Sequence, residues 1–349
     1  MAYYLGDTIV ADTTGWRVPL ASSQPASPVE GQVIYNTTTK RLEMYDSGYW
    51  IEVQDSNRPY LYRSIITTGY AAGGYANGTP WRNINRMVHA TDVCTNLGDQ
   101  LPEAAGYVSG GSSLTKGFIW GTSASHPGSS TTIGAFNMVT ETNAGTGYGG
   151  LLAARDDAGS IFKEHYFGFI GAGGSGHVDV FNFTTEQAYR GNQGVDMGGA
   201  GNGTGLSDET KGYLFSAGSS WQLTYATNQT YTLTDSAISG GSHQKGINSK
   251  VGKGYIGNES GYNAGYTLRR WSFATDTNIG NVNKPIGASG EENFDMGQDR
   301  QYMMGMYNGA QNNRGWRFAY STDSGYELGA GSVRSGIVGS SSGHCFWKP

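Results

Sequence analysis

The chain has 349 residues and a net charge of −5, with only 15% charged residues against 56 glycines, 23 tyrosines and 9 prolines. Plentiful aromatics at small net charge exclude a disordered chain, the lack of a three-residue glycine period excludes collagen, and scattered Lys and Arg argue against a nucleic-acid groove. Gly, Ser, Thr, Asn and aromatics together describe short strands joined by tight turns, so an all-β fold is expected.

From the amino terminus, Met1–Asp7 lacks a basic and then apolar run, so no secretory signal is expected. No stretch approaches 18 consecutive apolar residues, so membrane insertion is not expected either. Residues 21–28, rich in Ser, Ala and Pro, suggest a spacer. A small meander follows, with alternating strands at Gln32–Tyr35 and Arg41–Tyr45 and a turn at Asp46-Ser47-Gly48 leading into Trp50–Val53. Residues 1–58 thus form an N-terminal module, and 59–349 carry something different.

That second region repeats. An alternating strand ends in Thr followed by Asp, Glu or Asn, with the threonines at Thr91, Thr140, Thr185, Thr227, Thr275 and Thr322, in steps of 49, 45, 42, 48 and 47. Bulky side chains stand four and two residues before each Thr, His89 being the polar exception. That is the period of a strand with one buried face. A second anchor keeps the same step: Gly69-Tyr70, Lys116-Gly117-Phe118, Phe167-Gly168-Phe169, Lys211-Gly212-Tyr213, Lys253-Gly254-Tyr255 and Gln301-Tyr302, with a further copy at Gly343–Trp347. A unit of this length holds about four strands, the size of a propeller blade, and one such sheet cannot bury both faces alone. The expectation is a β-propeller of six complete repeats, six or seven blades, latched by the last strand. An open β-solenoid is the competing architecture.

The segment Gly31–Trp50, with Tyr35-Asn36-Thr37 and Tyr45-Asp46-Ser47-Gly48-Tyr49-Trp50, resembles a module common in bacteriophage tail-fibre and appendage proteins. The repeat, with strands such as Phe273-Ala274-Thr275-Asp276 and Lys253-Gly254-Tyr255, resembles kelch-like propeller repeats of phage structural proteins. It departs from true kelch repeats, because Gly73-Gly74, Gly110-Gly111 and Gly240-Gly241 keep no common phase with the Thr anchor. The resemblance implies a virion protein, a tail or head fibre seated by residues 1–58 on other virion proteins as a homo-oligomer. Its propeller would touch a host-surface glycan, a host protein or a partner subunit; a capsid decoration or neck component is the alternative.

Enzymatic chemistry finds little footing. Gly145/Gly147/Gly150 and Gly171/Gly173/Gly176 match G-x-G-x-x-G, but the second leads into the strand 177–181 rather than a helix, and 56 glycines generate such matches freely. A glycan-cleaving enzyme needs two convergent carboxylates, and Asp156, Asp157, Glu291, Glu292 and Asp299 show no positional motif. Six histidines without ligand spacing, and Cys94 and Cys345 as two lone thiols, give no metal site, so neither cofactor nor enzyme activity is expected. Surface recognition remains, and Tyr75, Trp81, Tyr148, Tyr262, Tyr266 and Tyr307, placed in Gly/Asn-rich turns, are the candidates.

Overall fold

The computed structural model describes residues 3–5, 8–12, 15–16, 18–38, 41–46, 49–52, 68–76, 79–106, 109–113, 115–120, 130–155, 159–163, 167–172, 175–190, 204–208, 210–216, 219–225, 227, 229–233, 246–248, 253–257, 267–283, 293–296, 300–307, 311–320, 322–328 and 344–348. All regular structure among them is strand, and the chain divides into compact units at Met1–Ile65 and Ile66–Pro349.

In the first unit, Tyr3–Leu5, Thr8–Asp12 and Gly15–Trp16 form a three-stranded antiparallel sheet. The expected meander follows as Val33–Asn36, Arg41–Asp46 and Tyr49–Glu52. The first residue of the stretch expected to be a spacer contributes to it: the strand Leu20–Ala21 pairs in parallel with Tyr35 and Asn36, and Thr37 N donates to Ala21 O at 2.7 Å. A polar cluster sits inside this sheet, where the buried Glu43 carboxylate accepts from Asn36 Nδ2 and Gln24 Nε2, each at 3.1 Å.

Among the described residues of the second unit, six four-stranded antiparallel sheets succeed one another. Sheet 2 runs Ser109–Ser112, Lys116–Trp120, Ile133–Asn137, Thr142–Thr146, and sheet 3 runs Gly159–Lys163, Phe167–Ala172, Ser175–Asn182, Gln187–Arg190. Sheet 4 is Thr204–Ser207, Lys211–Ser216, Ser219–Thr224, Gln229–Thr232, and sheet 5 is Gly246–Asn248, Lys253–Gly257, Thr267–Ser272, Thr277–Asn283. Sheet 6 is Asn293–Met296, Arg300–Tyr307, Gln311–Ala319, Ser324–Leu328. Sheet 1 alone takes its first strand from the far end of the chain: His344–Lys348 precedes Thr68–Ala72, Asn83–Val88 and Val93–Asp99. The first strands also neighbour one another, 344–348 beside 109–112, then 159–163, 204–207, 246–248 and 293–296, which lies beside 344–348 again.

The repeat anchors explain why these sheets pack. The aromatic of the second strand is held by two residues of the following sheet, one on its third strand four before the Thr and one in the turn just past that strand, two before the Thr. Tyr213 meets Trp271 edge-on at 5.6 Å and Phe273 stacked at 5.5 Å; Tyr255 meets Phe318 and Tyr320 at 5.1 and 5.7 Å. Phe118 does the same with Phe181 and Phe183. His89 holds the stacked place over Tyr302 at 5.0 Å, so the polar exception keeps the geometry of the series. Such aromatic pairs add about 0.5–1.5 kcal/mol each beyond the area they bury.

The anchor glycine has an equally concrete cause. A Cβ on Gly212 would overlap Ile161 Cδ1 of sheet 3, and one on Gly254 would overlap Leu206 Cδ1 of sheet 4. A Cβ at either glycine would push that neighbouring side chain aside, and glycine avoids this. Cys94 and Cys345 join the same sheet on its opposite outer strands, with two strands between them. At about 4.8 Å per strand that separation is too large for a disulfide.

Candidate functional site

Each Thr anchor lies exposed in the turn between third and fourth strands. Asn137 and Asn182 shape that turn by accepting from the amides of Thr140 and Thr185 at 3.1 and 3.0 Å. The acid after the Thr adopts a left-handed backbone: Asp92, Glu141, Glu186, Asp276 and Asp323 have φ between 49° and 56°. Such a conformation costs a non-glycine residue about 1–2 kcal/mol. It is retained because it aims the carboxylate at the preceding sheet.

There the contacts repeat. Asp276 accepts from Lys211 Nζ at 2.8 Å, Tyr213 Oη at 2.5 Å and Gln222 Nε2 at 3.3 Å. Asp323 accepts from Tyr255 Oη at 2.5 Å, Arg270 Nη1 at 2.8 Å and Lys253 Nζ at 3.3 Å. Glu141 takes Tyr70 and Arg86, Glu186 takes Lys116, and Asp92 takes Tyr302 and Arg317. The last of these joins sheet 6 to sheet 1. At the junction of sheets 3 and 4 the sequence changes both partners together, with Phe167 where sheets 2, 4 and 5 have Lys and Asn228 where the other turns have an acid. Apolar packing of Ile161, Val178 and Val180 against Leu214, Trp221, Leu223 and Tyr225 fills that junction.

We expect Asp276→Gly to separate the two effects. Glycine relieves the backbone strain but strands the Tyr213 hydroxyl and the Lys211 charge, for a net loss of about 1–2 kcal/mol by urea titration. The titrations follow from the same contacts. Burial opposes ionisation of Asp323, but hydrogen bonds from Tyr255, Arg270 and Lys253 outweigh it and hold the carboxyl below its usual range. Burial first, and then the neighbouring carboxylate, push the Tyr213 and Tyr255 hydroxyls up. The Asp323 contribution is therefore complete above about pH 4 and lost as pH falls through its folded-state value. The tyrosine contributions are complete below about pH 10 and lost as pH rises beyond it. Melting temperature against pH should show a plateau falling on both sides, with a shallower acid limb in Asp323→Asn.

The expected recognition residues fall unevenly. Tyr262 and Tyr266 lie outside the described residues, and Tyr75 and Tyr307 lie in strands Tyr75–Ala76 and Arg300–Tyr307. Trp81 is half-buried and its backbone pairs with Gly74 and Ala105. Tyr148 is half-buried too, its hydroxyl donating to Ala144 O at 2.6 Å and its ring packed on Phe118 with Lys116 Nζ 5.2 Å away.

Tyrosines presented to solvent stand elsewhere, on the fourth strands: Tyr189, Tyr231 and Tyr326, at 48%, 51% and 45% exposure. They occupy one repeat position, four residues after the Thr. Two of them have a polar or charged neighbour: Tyr231 donates to Gln229 Oε1 at 2.9 Å, and the Arg317 guanidinium lies 4.4 Å from the Tyr326 ring. The spacing Thr-x-x-x-Tyr in three repeats is the signal that locates them. In sheets 1, 2 and 5 the fourth strand instead carries Asn-x-Gly, with Gly98, Gly145 and Gly280 at positive φ donating to Asn96, Asn143 and Asn278. Each of those strands slips register against its neighbour, a bulge that blunts an otherwise open sheet edge.

The sequence matches no protein-family model and no curated protein.

Proposed function

We propose that residues 66–349 form a six-bladed β-propeller whose first and last sheets meet where 344–348 completes sheet 1, and that this propeller is the displayed head of a non-enzymatic bacteriophage virion appendage. The observation that carries the architecture is the order of neighbours, in which the first strands lead from 344–348 through five sheets back to 344–348, with Asp92 bound to Tyr302 and Arg317 across the last junction. The same carboxylate–tyrosine–cation contact recurs where sheets 1 and 2, 4 and 5, and 5 and 6 meet, and a carboxylate–lysine contact joins sheets 2 and 3, which supports one rotation applied repeatedly.

The virion role rests on the resemblance of Gly31–Trp50 to the fibre-associated module, in a unit separate from the sheets it would carry. Tyr189, Tyr231 and Tyr326 favour a contact surface on the outer strands, since a flat ring beside an amide or guanidinium suits glycan and protein partners alike. A host-surface glycan or protein, or a neighbouring virion subunit, is the partner class. Immunogold labelling of purified particles with antibody against residues 66–349 tests the assignment. Labelled appendages are expected, and particles devoid of the chain reject it.

A further inference from the structure

The position six residues before each Thr looks across to the preceding sheet and is filled very differently along the chain. It carries Trp221 in sheet 4 and Trp316 in sheet 6, both buried. In sheet 2 it is Gly134, and the ring of Pro102 closes in, with Cγ 2.9 Å from where a Cβ would stand. In sheet 3 it is Asp179, held by Arg155. In sheet 1 it is Asn85, with 0% exposure.

Asn85 is the outlier, because neither its amide nitrogen nor its amide oxygen has a hydrogen-bond partner. Its strand neighbours fix where it points. It stands in register with Ala71 and alternates with Met87, and both pack with Tyr302 and Leu328 of sheet 6. The row of sheet 6 that carries Leu328 continues through Gly315 to Met304, and Gly315 offers no side chain. A position that a tryptophan takes in two other sheets therefore holds one small buried amide, its donor and acceptor both without a partner.

A buried amide left bare on both atoms is strongly unfavourable, and buried polar groups are almost always satisfied by protein or ordered water. Polar internal spaces hold water where apolar ones stay dry. We propose that Asn85 lines an internal hydration site at the junction of sheets 6 and 1, taking about one or two water molecules that its amide both donates to and accepts from.

Oxygen-17 relaxation dispersion of the full chain counts long-lived internal waters. Asn85→Leu, nearly isosteric and without polar atoms, should lose one or two of them, and an unchanged count overturns the proposal. A high-resolution crystal structure of the unaltered chain gives a reading that does not depend on a variant. Ordered solvent within hydrogen-bond distance of both Asn85 Nδ2 and Oδ1 is expected, and a protein group satisfying the amide overturns it.

Discussion

A chain ending at residue 343 should fail to fold its repeat region. Strand 344–348 pairs in register with all five residues of Thr68–Ala72, from His344 against Ala72 to Lys348 against Thr68. It also lies beside the first strands of sheets 2 and 6. Removing it bares one edge of a strand in which Gly69, Tyr70, Ala71 and Ala72 are all buried. At about 1 kcal/mol per lost backbone hydrogen bond, plus the apolar surface uncovered on two neighbours, the loss rivals the whole stability of a typical domain, about 5–15 kcal/mol. Circular dichroism melts of the purified variant should show no cooperative transition, and a synthetic peptide of residues 340–349 should restore one. A truncated chain melting within a few degrees of the full-length protein would show that the strand is an accessory.

The second large effect concerns Arg155 and Asp179, whose side chains are 0% and 1% exposed. Arg155 stands just ahead of sheet 3, fixed by backbone hydrogen bonds to and from Ser130 at 3.0 and 3.1 Å. Its Nε donates to Asp179 Oδ2 at 3.2 Å on the third strand of the same sheet. Burial pulls the arginine pKa down, while the carboxylate charge and hydrogen bond push it back up. Two charges withdrawn from water tolerate joint replacement better than the loss of one. Arg155→Met alone, or Asp179→Leu alone, should cost about 3–5 kcal/mol in urea unfolding. The double variant should recover most of that loss. Equal and additive losses would mean that the two residues act independently.

The sequence and the structure agree most closely where a period carries the information. Bulky residues four and two before Thr140, Thr185 or Thr275 mark a buried strand face, and those strands lie where the period puts them. Periodicity names a face but not the neighbour beyond it. The pairing of Asp276 with Lys211 and Tyr213 therefore emerges only from coordinates, although both partners were conspicuous as anchors 65 and 63 residues apart. Exposure was harder still. Tyr148 sits among turn glycines and yet packs inward, whereas Tyr231 sits in a strand and faces out, because a fourth strand is an edge and composition does not mark edges. Leu20–Ala21 was hidden for another reason: two residues in a Ser- and Pro-rich stretch make too short a strand to show any alternation.

The account depends above all on sheet 6 meeting sheet 1, and a crystal or cryo-electron-microscopy structure of the intact chain measures that junction directly. It should place the Asp92 carboxylate against the Tyr302 hydroxyl and the Arg317 guanidinium, with 344–348 paired to 68–72 in the same chain. Six sheets in an open row, with Asp92 and Arg317 at opposite ends, would contradict it.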